Sequence, residues 1–267
     1  MGHPWLRTPH LDRLAAGGAL FRNAFVTTSL CSPSRASILT GLYAHAHGVM
    51  DNFTALPPEV MAFPRRLKAA GYTTAFIGKW HMGDSRLAGR GEDKDEADMP
   101  QPGFDHWISF KGQGAYRNPE LNVNGRREKV SGYMTDLLTE RCVDFLEREH
   151  SRPFLLYLSH KAVHADFEPA ARHAGLFSSD PVPVPPTAPA TAEDVTGKPE
   201  WLLRKRRHSR HGLDALYEGR YTLETLYRAT AAPCRPSTTV LAASTRPWKS
   251  AGSSKIRSSS TWATTAS

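Results

Sequence analysis

Two short apolar runs constrain this chain most. Residues 72–77 and 154–158 each follow a helical pattern, and each ends in a row of polar residues. Both runs are rich in β-branched or aromatic side chains and bounded by Gly or Pro, the signature of strands buried on both faces. Before the first, residues 63–70 read as a short helix closed by Gly71. Before the second, residues 133–149 carry Met134, Leu137, Leu138, Cys142, Phe145 and Leu146 at helical spacing, and Pro153 stops the pattern. Helix followed by strand, twice, predicts an α/β fold. In open α/β sheets ligands bind beyond the carboxyl ends of the strands. The residues there are Gly78-Lys79-Trp80-His81 and Ser159-His160-Lys161-Ala162-Val163-His164. With 267 residues, 40% of them hydrophobic, the chain is long enough for one sizeable core.

A third stretch, Cys31-Ser32-Pro33-Ser34-Arg35-Ala36-Ser37-Ile38-Leu39-Thr40-Gly41, reads as a short helix with its own start and stop. Ser32 is the predicted N-cap, Pro33 the first helical residue and Gly41 the left-handed terminator. Cys31 then lies at a helix N-terminus, where the dipole and free N–H groups favour an anion. Arg35, one turn on, offers a planar, permanently charged fork to the same anion. Taken alone, Cys31 also fits a buried cysteine before a short helix. With only three widely spaced cysteines in the chain, no disulfide framework is implied, and Cys142 reads as a core thiol.

The string C-x-P-S-R followed by x-x-x-L-T-G resembles the signature of the type I sulfatases, and residues 71–81 resemble that family's second signature. The resemblance covers residues 4 to about 228 and points to the glucosamine-6-sulfatase-like branch. It implies an alkaline-phosphatase-like α/β core, a mixed sheet flanked by helices. It implies that Cys31 is oxidised to formylglycine by a formylglycine-generating or sulfatase-maturing enzyme. The hydrated aldehyde would attack the sulfur of a sulfate ester, on a sulfated saccharide, and would also be a ligand of calcium. Arg35 would steady the modified residue, Lys79 would hold a sulfate oxygen and His81 would take the proton of the hydrate. His164, aligned through the following residues 165–169, would protonate the leaving oxygen. Lys161 and His160 would be its neighbours, and Asp51 and Asn52 would line the substrate pocket. The residues themselves leave another reading of His45, His47, Asp51 and Asn52 open: a polar loop on the rim of a cleft, since their spacing fits no strong metal template.

The chain departs from the family pattern at both ends. The paired aspartates of the family's first strand, its later Asp-Asn pair and its second lysine have no counterparts here, and calcium needs several oxygen ligands. The expectation is a chain truncated at both ends that binds calcium poorly and turns over little substrate. Residues 1–228 would form a partial catalytic domain. Residues 229–267 would be a disordered or frame-shifted tail, because suitable codons for residues 235–244 and 258–266 yield A-V-D-D-S-V-G-R-V-L and V-V-Y-M-G-D-N in another frame. Two rivals share the motifs: a phosphodiesterase or phosphonate hydrolase of the same superfamily, and a non-catalytic, glycan-binding remnant.

The remaining segments are simpler. Residues 9–16 read as a helix, with Pro9 first and Gly17-Gly18 after it. Residues 20–26 read as a strand, 103–107 as a strand-like return to the core, 118–130 as a hairpin turning at Asn124-Gly125, and 217–227 as the start of a helix. Residues 84–101 read as a solvated charged loop and 181–189 as an extended proline-rich segment. The net charge of +8 permits a polyanionic partner. The basic run Arg204 to Arg210 reads as solvated or glycan-facing, because no nucleic-acid-binding fold accompanies it. No apolar run reaches membrane-spanning length. No secretory leader is legible, although the family is usually exported.

Overall fold

The computed structural model describes residues 4–83, 98–164, 166–183, 197, 199–201 and 223–231. These fall into two compact units, one within Pro9–Lys161 and one comprising residues 4–8 with the described residues from 162 to 231. The proline-rich stretch from 184, the basic run, most of the charged loop and the tail after 231 lie outside the described residues.

The larger unit begins with helix α1 (Pro9–Ala16), α2 (Cys31–Thr40), α3 (Ala44–His47) and α4 (Phe63–Ala69). Strand β1 (Thr73–Gly78) follows, then β2 (His106–Ser109), the hairpin β3 (Glu120–Val123) and β4 (Arg126–Lys129), helix α5 (Met134–Glu147) and β5 (Phe154–Ser159). The sheet order is β4-β3-β2-β1-β5. Strand β1 runs parallel to β2 and β5, while β3 is antiparallel to β2 and β4, so the sheet is mixed, as expected. Asn124 and Gly125 sit at φ of 52° and 92°, the left-handed pair a tight two-residue hairpin turn requires.

Side chains alternate across the sheet and make two cores. On one face Phe76 and Trp107 pack with Ala36 and Leu39 of α2 and with Trp80 and Phe104, and Leu155 and Tyr157 lie against them. On the other, Ile77 packs with Leu121 and with Met134, Leu138, Cys142 and Leu146 of α5. Burial pushes the Cys142 thiol well above its ordinary value, as a core thiol demands. The β1–β5 pair is close at its carboxyl end. A Cβ on Gly78 would lie 1.9 Å from the Ser159 carbonyl oxygen, and Gly78 has a φ of 129°. Only glycine fits there.

Three expectations are corrected. Residues 20–26 form no strand: Phe21 and Phe25 are 78% and 89% exposed, and none of the five strands pairs with them. Apolar composition supplied the propensity, but a strand also needs a ladder partner. Ser32 is not the N-cap, because Leu30 is the extended residue before α2 and Cys31 is its first helical residue. Asn52 supplies the cap instead, its Oδ1 accepting from the Ser32 N–H at 3.0 Å. Pro33 therefore stands third in the helix, still among the N–H positions that have no intrahelical partner. Asp98, within the charged loop, is 1% exposed rather than solvated and pairs with Arg127 at 2.5 Å. Gly41 does end α2 in the left-handed region, at φ 72°.

In the smaller unit Trp5 lies against Phe177 and Tyr227, with ring centroids 4.4 and 5.9 Å away, and donates to the Pro181 carbonyl. The last described helix, Leu223–Ala231, runs past Arg228, and residues 217–222 of the expected helix lie outside the described residues.

Candidate active site

The carboxyl ends of β1 and β5 and the N-terminus of α2 meet in the larger unit. Arg35 joins the three: its Nη1 donates to the Lys79 carbonyl at 2.7 Å and to Ser159 Oγ at 2.5 Å. The Lys79 N–H donates to the Ser159 carbonyl at 2.7 Å, extending the β1–β5 ladder by one bond. Ser32 Oγ donates to the His81 carbonyl in a very short bond. His81 has a φ of 53°, uncommon for a residue with a side chain and typical of functional turns. The strand ends and the helix start are thus cross-linked by three polar groups.

Within this frame Lys79 Nζ lies 3.7 Å from Cys31 Sγ. Both residues are buried, Lys79 at 2% and Cys31 at 8% exposure. The ammonium also donates to Gln113 Oε1 in a very short bond, and the Gln113 amide nitrogen lies 3.4 Å from His81 Nε2. Burial, together with the nearby positive charges of Arg35 and Lys161, pulls Lys79 down to about 7, against smaller support from Cys31. Burial also lowers Arg35, offset in part by Tyr157 and Cys31. Lys161 is buried, with Nζ 4.2 Å above the Tyr116 ring. Lys79 and Arg35 beside one cysteine, with Lys161 close enough to act on Lys79, make a site for an anion.

Of the residues singled out from sequence, Cys31, Arg35, Lys79, His81 and Lys161 share this one unit. Asn52 caps α2, as described. Asp51 Oδ1 accepts from the N–H groups of Phe53 and Thr54 and from Thr54 Oγ1, at 2.7–2.9 Å. His47 is buried, its Nε2 3.0 Å from Ser37 Oγ and its Nδ1 accepting from the Val49 N–H, whereas His45 is exposed and stacks on Tyr43. Burial drops His160 to about 4, and among the described residues neither of its shielded ring nitrogens has a hydrogen-bond partner. His164 belongs to the other unit. Ser159 was placed at the strand end but given no role, and Gln113 was missed. Its signal was position alone, since it lies just past the carboxyl end of a strand.

The Cys31 position fits formylglycine, because a helix start and cations are what an oxygen-bearing, anion-seeking residue requires. Calcium is different. Among the described residues no three His, Cys, Asp or Glu side chains gather closely enough to hold a metal ion, so the described part of the site does not fit calcium.

A cysteine beside buried basic side chains, at the carboxyl edge of an α/β sheet, is a site for an anion. The comparisons narrow the class. A family model described as Sulfatase matches residues 1–197, and the chain belongs to the sulfatase family. The sheet and its helices are accordingly the alkaline-phosphatase-like sulfatase core. An N-acetylglucosamine-6-O-sulfatase of Bacteroides thetaiotaomicron is 38% identical over 184 residues, 67% of this chain and 30% of that protein. The N-acetylgalactosamine-6-sulfatase of Mus musculus is 32% identical over 198 residues, 61% of this chain and 36% of that protein. The chain therefore spans about a third of these relatives' own length. A solved structure described as a complex with its substrate D-glucosamine-2-N,6-O-disulfate superposes with a TM-score of 0.62 at 30% identity, covering 92% of this chain and 49% of that one. The phosphonate monoester hydrolase of Agrobacterium radiobacter shares the fold, with a TM-score of 0.67 at 17% identity over 90% of this chain and 54% of that one.

Proposed function

We propose that this chain carries the nucleophile side of a sulfuric ester hydrolase acting on sulfated sugars, with Cys31 as the residue converted to formylglycine. The carrying observation is the approach of Lys79 Nζ to Cys31 Sγ, 3.7 Å, inside the family's signature string. The names of the relatives supply the substrate class, a 6-O-sulfated amino sugar. When present, formylglycine supplies a hydrated aldehyde oxygen as the nucleophile toward sulfur.

The chain's own residues then have separate tasks. Lys79 places a donor and a charge where the sulfonate oxygens gather, and an anion there favours its protonated form. Arg35 holds the ends of β1 and β5 together and adds a second fixed charge. His81 takes the role the resemblance implies, accepting the proton that the nucleophile must lose. Lys161 adds the third charge, and Asn52 holds the start of α2. On the sequence alone, His164 keeps the leaving-group role and Asp51 the pocket-lining role that the resemblance implies.

The test is peptide mass spectrometry on the chain co-expressed with a formylglycine-generating enzyme. Conversion replaces a thiol by an aldehyde and lowers the Cys31 peptide by about 18 Da. An unmodified thiol in a competent host overturns the proposal. The phosphonate-hydrolase reading uses the same nucleophile, so parallel titrations with 6-O-sulfated N-acetylglucosamine and a phosphonate monoester separate the two, and tighter binding of the sulfate ester is expected.

A further inference from the structure

We propose that Gln113 is a positioning residue that fixes which ring nitrogen of His81 carries the proton. The inference rests on the reading of Cys31, Lys79 and His81 as one reaction centre. A primary carboxamide has two chemically opposite ends: its oxygen only accepts and its nitrogen only donates. An ammonium has three donors and no acceptor, so Lys79 Nζ must face the oxygen, and its bond to Gln113 Oε1 is shorter than its contact with Cys31 Sγ. The amide nitrogen is then turned to His81 Nε2, 3.4 Å away. A group that can only donate requires an acceptor there. Nε2 therefore holds a lone pair, and the ring proton resides on Nδ1. The contact is long for a hydrogen bond, as catalytic contacts often are before substrate binds. One amide thus spans the ammonium beside Cys31 and the imidazole, and couples the orientation of both.

The loop that presents Gln113 is built for this. It follows β2 as Lys111-Gly112-Gln113-Gly114, with the Gly114 N–H donating to the Lys111 carbonyl at 3.1 Å. Gly112 and Gly114 take φ of 56° and 63°, and a Cβ on Gly114 would lie 2.5 Å from Phe110 Cδ2. Phe110 is itself 1% exposed and cannot yield. The turn therefore folds tightly over a core aromatic ring and sets Gln113 at one height above the sheet.

Gln113→Glu separates the two ends. It keeps an acceptor for Lys79 and replaces the donor facing His81 by a second acceptor. The experiment is long-range proton–nitrogen correlation on the full chain labelled with 15N-histidine, with saturating sulfate present to hold Lys79 protonated, at a pH where exposed imidazoles are neutral. The His81 signals are those lost in His81→Asn. The expected wild-type spectrum has a protonated Nδ1 and a bare Nε2, and Gln113→Glu moves the proton to Nε2. Gln113→Leu, which removes both ends, is expected to leave a mixture of the two tautomers. A wild-type ring protonated at Nε2 overturns the proposal, as does a tautomer that Gln113→Glu leaves unchanged. Should Gln113→Glu fail to fold, the wild-type and Gln113→Leu spectra decide it. The readout needs neither formylglycine nor turnover. A chain whose Cys31 is never converted sinks the sulfatase reading and still reports the tautomer.

Discussion

At the scale of single residues, Lys79 sets the pH behaviour of the site. Its ordinary value is 10.5 and burial brings it to about 7. Between those two values the unfolded chain binds a proton that the folded chain does not, so this residue makes stability rise with pH across that window. Below 7 the folded chain bears the whole cost of a buried ammonium, about 5 kcal/mol at about 1.4 kcal/mol per pH unit. Lys79→Met removes that cost but strands the carbonyl of Gln113, worth about 1–3 kcal/mol. The variant is expected to be about 2–4 kcal/mol more stable than the parent in urea at pH 6 and to lose that advantage near pH 10.5. A variant that is less stable at both pH values would show that the ammonium is compensated inside the fold. The same titration governs anion binding. Sulfate affinity, read by calorimetry, is expected to weaken above pH 7 by up to about tenfold per unit, since at most one proton is linked to one anion.

At the scale of elements, the close approach of β1 and β5 controls the site, because Lys79 leaves the sheet where the strands are tightest. Gly78→Ala sets a methyl against the Ser159 carbonyl and strains a left-handed backbone. It is expected to cost more than about 3 kcal/mol in a denaturation midpoint and to break the Arg35–Ser159 contact. The pair Asp98–Arg127 makes a second check on the far side of the sheet, where the Asp98 side chain is 2% exposed. Arg127→Met leaves a carboxylate buried without its main partner, at a cost of about 2–4 kcal/mol, less in Asp98→Asn/Arg127→Met. Strands β1 and β5, helix α5 and the Asn124-Gly125 turn were legible because local period and turn chemistry determine them. Asp98, Asn52 and Gln113 were not. Their roles come from hydrogen bonds to residues 20–34 positions away, and nothing in the local pattern encodes such partners. Residues 20–26 misled in the opposite direction, since apolar propensity carries no information on whether a neighbouring strand exists.

At the scale of the whole molecule, two surfaces compete with the charge. Leu20, Phe21, Phe25, Val26 and Leu30 are all exposed within eleven residues, a density that monomeric proteins rarely tolerate. Among the described residues strand β5 ends the sheet order and is only half-buried along most of its length, so its outer edge has no described strand beside it. Against these stands the net charge of +8, whose repulsion keeps copies apart at low ionic strength. Salt screens that repulsion over about 10 Å at 0.1 M and about 3 Å at 1 M, while leaving apolar association intact. The chain is therefore expected to sediment as a monomer in dilute buffer and to self-associate as sodium chloride is raised toward about 0.5 M. Phe21→Lys/Phe25→Lys removes the two most exposed rings among the described residues and adds two charges, and is expected to restore the monomer at high salt. Its melting temperature should stay within about 2 °C of the parent, because neither ring is buried in the fold. Should the double variant still associate while a lysine placed outward on β5 abolishes it, the open sheet edge would be the adhesive surface instead. Salt that disperses rather than gathers the chain would mean that charge pairing, not apolar contact, holds the copies together.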